Sequence, residues 1–159
     1  MFRPRIIPVL LLKGKGLVKS IQFKNHQYLG DPINAVKIFN DLKADELVFL
    51  DISATNENRS TLIELVKRIA KEINIPFTVG GGINSVADVA RLIEAGADKV
   101  SLNSSAVKRP ELITEIANQF GSQCVVVAID TKFEDNEWKV FVHGGRTITP
   151  LKTVEWAKQ

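Results

Sequence analysis

Two carboxylates stand where a fold of alternating strands and helices would place reacting groups. Asp51 ends the apolar run Leu47 to Leu50, and Asp130 ends the run Val125 to Ile129. In such folds a strand end opens on the ligand crevice, where a carboxylate can move protons. The same position also suits an Asp that accepts a bond from a nearby loop amide. Between them, Phe77-Thr-Val-Gly-Gly-Gly-Ile83 places three glycines at another strand end. Unhindered N–H groups there could cradle a phosphate at a helix start, or the glycines could simply permit a tight turn with positive φ. The next strand end offers Asn103-Ser104-Ser105, a second set of anion donors or a capping segment. At the opposite ends Arg5, Glu46 and Lys99 sit at strand entries. One acid between two bases would form a buried ionic cluster, unless all three remain on the surface.

Other reactive residue types carry less. His26 and His143 have no partners at ligand spacing, so no metal is expected. Cys124 lies in the apolar stretch Cys124 to Ile129, which disfavours a thiolate and suits a core residue. Trp138, Trp156 and Phe49 read as packing, because no basic stripe interleaves with them. No cofactor is implied.

The elements that must position these groups are legible from periodicity. Short Val- and Ile-rich runs recur at 6–12, 47–52, 77–79, 100–102 and 124–129, and read as buried strands. Segments of helical period fill the gaps at 32–42, 60–73, 85–95 and 110–120, with Pro32 and Pro110 near the starts and Gly96 and Gly121 near the stops. This is an α/β chain with a parallel sheet. The stretches 13–23 and 131–141 break the alternation and read as hairpins decorating strands one and five. Ala44-Asp-Glu-Leu-Val-Phe-Leu-Asp51 resembles Ala97-Asp-Lys-Val-Ser-Leu-Asn103, which suggests a repeated βα plan.

Composition sets the outer bounds. At 159 residues, 45% apolar and 25% charged, one domain spanning 1–159 and one core are expected. No apolar run approaches a membrane span, and a net charge of +3 is far from a nucleic-acid-binding pattern. A single Cys allows no disulfide within the chain, and the start lacks a cleavage site for export, so a cytoplasmic, soluble protein is expected, with neither membrane nor nucleic-acid partners.

Taken together, Arg5-Ile-Ile, Asp45 to Asp51, Phe77 to Ile83, Ala97 to Asn103 and Phe120-Gly-Ser-Gln-Cys-Val-Val-Val-Ala-Ile-Asp130 closely resemble the cyclase subunit (HisF family) of imidazole glycerol phosphate synthase. The resemblance implies a (β/α)8 TIM barrel of two similar halves, of which this chain would be the N-terminal part. About five parallel strands and four complete helices would be present, with the second half-barrel missing. It implies a glutaminase subunit that supplies ammonia at the barrel's bottom, and a bis-phosphorylated aminoimidazole carboxamide ribonucleotide cleaved and cyclised at the top. By position, Arg5, Glu46 and Lys99 match the charged ammonia gate, and Gly82, Asn103 and Ser104 match one phosphate site. Asp130 matches one catalytic aspartate, and Lys19, Asp51 and Thr78 match residues lining the active site.

Two departures qualify that resemblance. The family's other catalytic aspartate falls in a Cys-Leu-Asp-Val-Lys pattern where this chain has Val9-Leu-Leu-Leu-Lys13, so Leu11 takes its place. Leucine transfers no proton, and a loss of about 10²–10⁴-fold would follow. With Leu17-Val-Lys-Ser-Ile-Gln-Phe-Lys-Asn25, this segment looks like cyclase-like proteins associated with amidation of N-acetyl sugars in surface polysaccharides. That reading is preferred here over histidine biosynthesis. A non-catalytic half-barrel that binds phosphate ligands or a partner subunit is the alternative of another class. The second departure is length: a half-barrel is expected to be inactive alone, and to self-associate or recruit a complementing half.

Overall fold

The computed structural model describes residues 3–21, 24–53 and 59–159. Five strands run parallel: β1 (Val9–Lys13), β4 (Leu47–Asp51), β5 (Phe77–Gly80), β6 (Lys99–Leu102) and β7 (Val125–Val127), adjacent in that order. Beside β1, the antiparallel strands β2 (Gly16–Ile21) and β3 (Lys24–Gly30) extend the sheet to seven strands in the order β3-β2-β1-β4-β5-β6-β7. The hairpin expected at 13–23 is therefore real but longer, with its second strand reaching Gly30.

The connections are helices: α1 (Pro32–Asp41), α2 (Arg59–Glu72), α3 (Val86–Glu94) and, after a short α4 (Ser104–Lys108), α5 (Glu111–Phe120). Their starts follow from capping chemistry. Asp31 caps α1 by accepting from the N–H groups of Ile33 and Asn34 at 2.8 and 3.2 Å, with Pro32 at the first helical position. At α3, Ser85 Oγ accepts from Asp88 N, while the Asp88 carboxylate accepts from Asn84 N, a reciprocal pair that satisfies two helix-start donors.

One face of the parallel sheet buries Leu12, Leu47, Phe49, Phe77, Val79, Val100 and Leu102 against helix residues that include Val36, Val66, Ile69, Val89, Leu92, Leu112 and Ile116. The edge-to-face pair Phe49–Phe77, 6.1 Å between ring centres, lies in this layer. Because strand side chains alternate, the other face carries Leu11, Val48, Leu50 and Val126, which are half-buried or exposed. Leu11 and Leu50 of this second face border the pocket at the carboxyl ends of the strands.

The repeat seen in the sequence has a structural counterpart. Asp45 N donates to Ile6 O and the Asp45 carboxylate accepts from Ile6 N at 2.7 Å. Asp98 makes the same reciprocal clamp with Phe77, its carboxylate accepting from Phe77 N at 2.9 Å. Each Ala-Asp pair thus locks the entry of one strand to that of its neighbour, which sets the parallel register.

After β7 the chain departs from expectation. The strand ends at Val127, two residues before the predicted end: Ala128 N makes the last bond to this sheet, donating to Leu102 O, and the chain then turns away. Asp130 consequently opens a new strand. β8 (Asp130–Glu134), β9 (Glu137–Val142) and β10 (Thr147–Lys152) form a separate antiparallel sheet, with α6 (Thr153–Lys158) packing Trp156 into the core. Cys124 lies in a 3-10 turn (Ser122–Cys124) before β7 and is half-buried, its Sγ donating to Phe120 O. Among the described residues no helix is long and apolar enough to cross a membrane.

Candidate functional site

The carboxyl ends of the parallel strands border a pocket of about 640 Å³. Its walls include Leu11 of β1, Leu50 and Asp51 of β4, Gly81 to Asn84 after β5, Asn103 to Ser105 after β6, and Asp130 at the start of β8. Five consecutive strand ends therefore converge on one space, as the pattern of Asp and Gly placements anticipates. A separate cavity of about 450 Å³, lined by Leu12, Lys15, Asp31 and the α2 residues Leu62, Leu65 and Arg68, shares Asp51 with it.

Local geometry defines what each group offers. Asp51 Oδ1 accepts from both the backbone N–H and the hydroxyl of Ser53 at 2.9 Å, the loop-amide role weighed for this residue. Gly81, at φ +110°, passes so close to β4 that a Cβ would lie 2.2 Å from Asp51 O. A side chain is excluded there, and the backbone of the glycine turn is held against the strand end that carries Asp51. At the start of α3, Ser85 Oγ accepts from Asp88 N and the Asp88 carboxylate from Asn84 N, so these two amides are committed within the protein. Ser104 Oγ donates to Asn103 Oδ1 at 3.2 Å and accepts from His143 N at 2.9 Å. Asp130 is half-buried.

Two expected lining residues lie elsewhere. Lys19 is exposed on β2, which runs back antiparallel to β1 and carries it away from the carboxyl ends. Thr78 is buried within β5, in register with Val48 and Lys99, because it precedes Gly80 by two positions on the strand. It belongs to the layer of the entry-side charges rather than to the pocket.

Those charges form a cluster. Glu46 is 7% exposed and accepts from Lys99 Nζ at 2.6 Å through one carboxylate oxygen and from the Arg5 guanidinium through the other. The acid between two bases is thus an ion-pair bridge joining the segments before β1 and β4 to the start of β6, with Glu46 buried, Lys99 half-buried and Arg5 exposed. It lies at the amino ends of the strands, away from the pocket.

Sequence reasoning missed Lys108, His143, Gly144 and Arg146, all of which line the pocket. Gly144-Gly145 after the apolar end of β9 was the available signal for a tight turn, yet where the turn docks could not be read from it. Among the described residues no group of three His, Cys, Asp or Glu side chains could hold a metal ion.

Fold and site together define an α/β protein whose adjacent parallel strands and connecting helices are consistent with part of a TIM barrel, with a glycine-bordered, acid- and hydroxyl-lined pocket at the carboxyl ends of those strands. Comparison with known sequences narrows this class. The profile described as "Histidine biosynthesis protein" matches residues 5–159, and the chain belongs to that family. Similar proteins include the imidazole glycerol phosphate synthase subunit HisF of Hydrogenobaculum sp. (strain Y04AAS1), 54% identical over 160 residues, covering 100% of this chain and 64% of that protein. The same subunit of Halalkalibacterium halodurans is 52% identical over 161 residues, with the same coverage, and that of Exiguobacterium sp. is 52% identical, covering 62% of its length. The chain spans about 64% of the length of the curated relatives it matches.

Proposed function

We propose that this chain carries the cyclase-subunit function of imidazole glycerol phosphate synthase in histidine biosynthesis. The observation that carries this reading is the separation of two charged sites by the length of one parallel sheet. The Arg5–Glu46–Lys99 bridge stands at the strand entries, and the pocket with Asp130, Asp51, Gly82, Asn103 and Ser104 stands at the strand exits. Such a layout suits ammonia entering at one end and an anionic substrate held at the other. Identities above 50% to proteins named as this subunit favour histidine biosynthesis over the surface-sugar amidation preferred from sequence.

In this reading Gly82, Asn103 and Ser104 hold one phosphate of a bis-phosphorylated ribonucleotide, and Asp130 moves a proton during cleavage and ring closure. Arg5, Glu46 and Lys99 admit ammonia from a glutaminase subunit. Leu11 lines the pocket beside Asp51 and Asp130, so an aspartate introduced there would face the same space. This is the observation that keeps the sugar-amidation reading as the second one.

The test is calorimetric titration with the bis-phosphorylated aminoimidazole ribonucleotide and with an N-acetylated sugar nucleotide, followed by turnover on each with added ammonium, for the chain and for Leu11→Asp. Preferential ribonucleotide binding by the chain is expected, with turnover, measured in the presence of a complementing second half-barrel, raised by Leu11→Asp by about 10²-fold or more. Sugar-nucleotide turnover without ribonucleotide binding would overturn the proposal in favour of the second reading. Ribonucleotide binding without turnover by either protein would instead support the non-catalytic half-barrel.

A further inference from the structure

The turn between β9 and β10 is anchored on the pocket by a chain of hydrogen bonds. Arg146 Nε donates to His143 O at 2.8 Å, His143 N donates to Ser104 Oγ at 2.9 Å, and Ser104 Oγ donates to Asn103 Oδ1 at 3.2 Å. Lys132 Nζ adds a bond to Gly145 O at 3.1 Å. Three consecutive residues of this turn adopt positive φ: His143 at +56°, Gly144 at +66° and Gly145 at +71°. For His143 that conformation is unfavourable in isolation, and it persists because the surrounding bonds impose it.

The turn delivers charge to the pocket. Lys108 and Arg146 both line it, and neither meets a carboxylate at ion-pair distance among the described residues, whereas Arg5, Lys99, Arg91 and Arg109 are each paired. With its Nε committed to the His143 carbonyl, Arg146 has its two terminal nitrogens left to present to an anion. Ser104 is equipped for the same ligand. His143 N–H occupies an acceptor position of its hydroxyl, and the hydroxyl hydrogen, which points at Asn103 Oδ1, can be turned to donate to a phosphate oxygen without breaking the anchor.

We propose that Arg146 is a ligand-positioning residue that binds the phosphate of a phosphorylated sugar beside Ser104, held there by the turn's bond to that serine. The inference rests on the phosphate reading of the pocket given above and adds a specificity-determining cation to it. A planar guanidinium can take two phosphate oxygens at once, so both its charge and its geometry contribute.

The experiment is an NMR titration of the full chain with ribose 5-phosphate, following the amides of Gly82, Asn103, Ser104 and His143. Arg146→Ala should weaken binding about tenfold, reduced from the value for a buried pair because the side chain is exposed. Arg146→Lys should recover part of the loss, and Lys43→Ala, which removes one exposed charge elsewhere, should change nothing. If Arg146→Ala binds as tightly as the unaltered chain while Ser104→Ala binds more weakly, Arg146 only anchors the turn; this inference falls and the phosphate reading stands. If ribose 5-phosphate shifts none of the four amides in the unaltered chain, both fall.

Discussion

Alanine at position 81 would test whether the glycine turn is fixed against the neighbouring strand. An added Cβ would lie 2.2 Å from Asp51 O and 2.9 and 3.0 Å from Asp51 C and Cα. These are backbone atoms, so no rotamer change relieves the clash. Nor can the turn slide back easily, because the Cβ direction of the preceding Gly80 is closed by Leu50 Cδ2 at 2.8 Å and Ser101 Cβ at 2.9 Å. The φ of +110° adds a conformational cost of about 1–3 kcal/mol for a residue other than glycine. Forcing the strand apart adds about 1–3 kcal/mol, so a loss of about 2–6 kcal/mol is expected, a large share of an ordinary domain's stability. Gly14 supplies the control, because at φ +62° a Cβ there would meet nothing within 4 Å. Gly14→Ala should therefore cost only about 1–2 kcal/mol, from backbone conformation alone. Urea denaturation of both variants gives the two losses by linear extrapolation. A loss for Gly81→Ala within about 0.5 kcal/mol of that for Gly14→Ala would refute the close approach.

Three further outcomes are expected. Glu46→Gln removes the acid from between Arg5 and Lys99, whose side chains are 63% and 27% exposed. Solvent screening reduces the cost of breaking a buried pair to about 1–3 kcal/mol, and a double-mutant cycle with Lys99→Met should show positive coupling in thermal denaturation. Asp31→Ala leaves the first-turn amides of α1 without their acceptor and should cost about 1 kcal/mol, seen as a lower urea midpoint with an unchanged slope. Asp135, whose carboxyl is held below its ordinary value of 3.8 by the hydrogen bond and charge of Lys139, should titrate low in a carboxyl NMR experiment. Because its folded value is depressed, the small stabilisation it contributes is present above 3.8 and fades as the pH falls through that lowered value.

The parallel strands and the helices between them were legible because their signals are local. A buried strand needs a short apolar run and a helix needs a 3.6-residue period, and both are written within a dozen residues. The glycine turn, Asn103-Ser104 and Asp130 stood out for the same reason, each following such an apolar run, and all of them border the pocket. Lys19 and Thr78 show the limit. The family resemblance implied that both line the site, yet strand direction carries Lys19 away from the pocket and strand depth sets Thr78 below it.

Composition and periodicity by themselves determined the α/β class, the order of the parallel strands' elements and the strand ends at which polar groups gather. They also placed one acid and two bases at strand entries. Tertiary structure alone decided that Glu46 bridges both bases, that the chain leaves the sheet at Ala128, and that the His143–Arg146 turn folds back onto Ser104. The physical reason is range. Residues 26 to 53 positions apart meet in these contacts, and no local pattern of side chains encodes which distant backbone amide or carboxylate will be brought within hydrogen-bond reach.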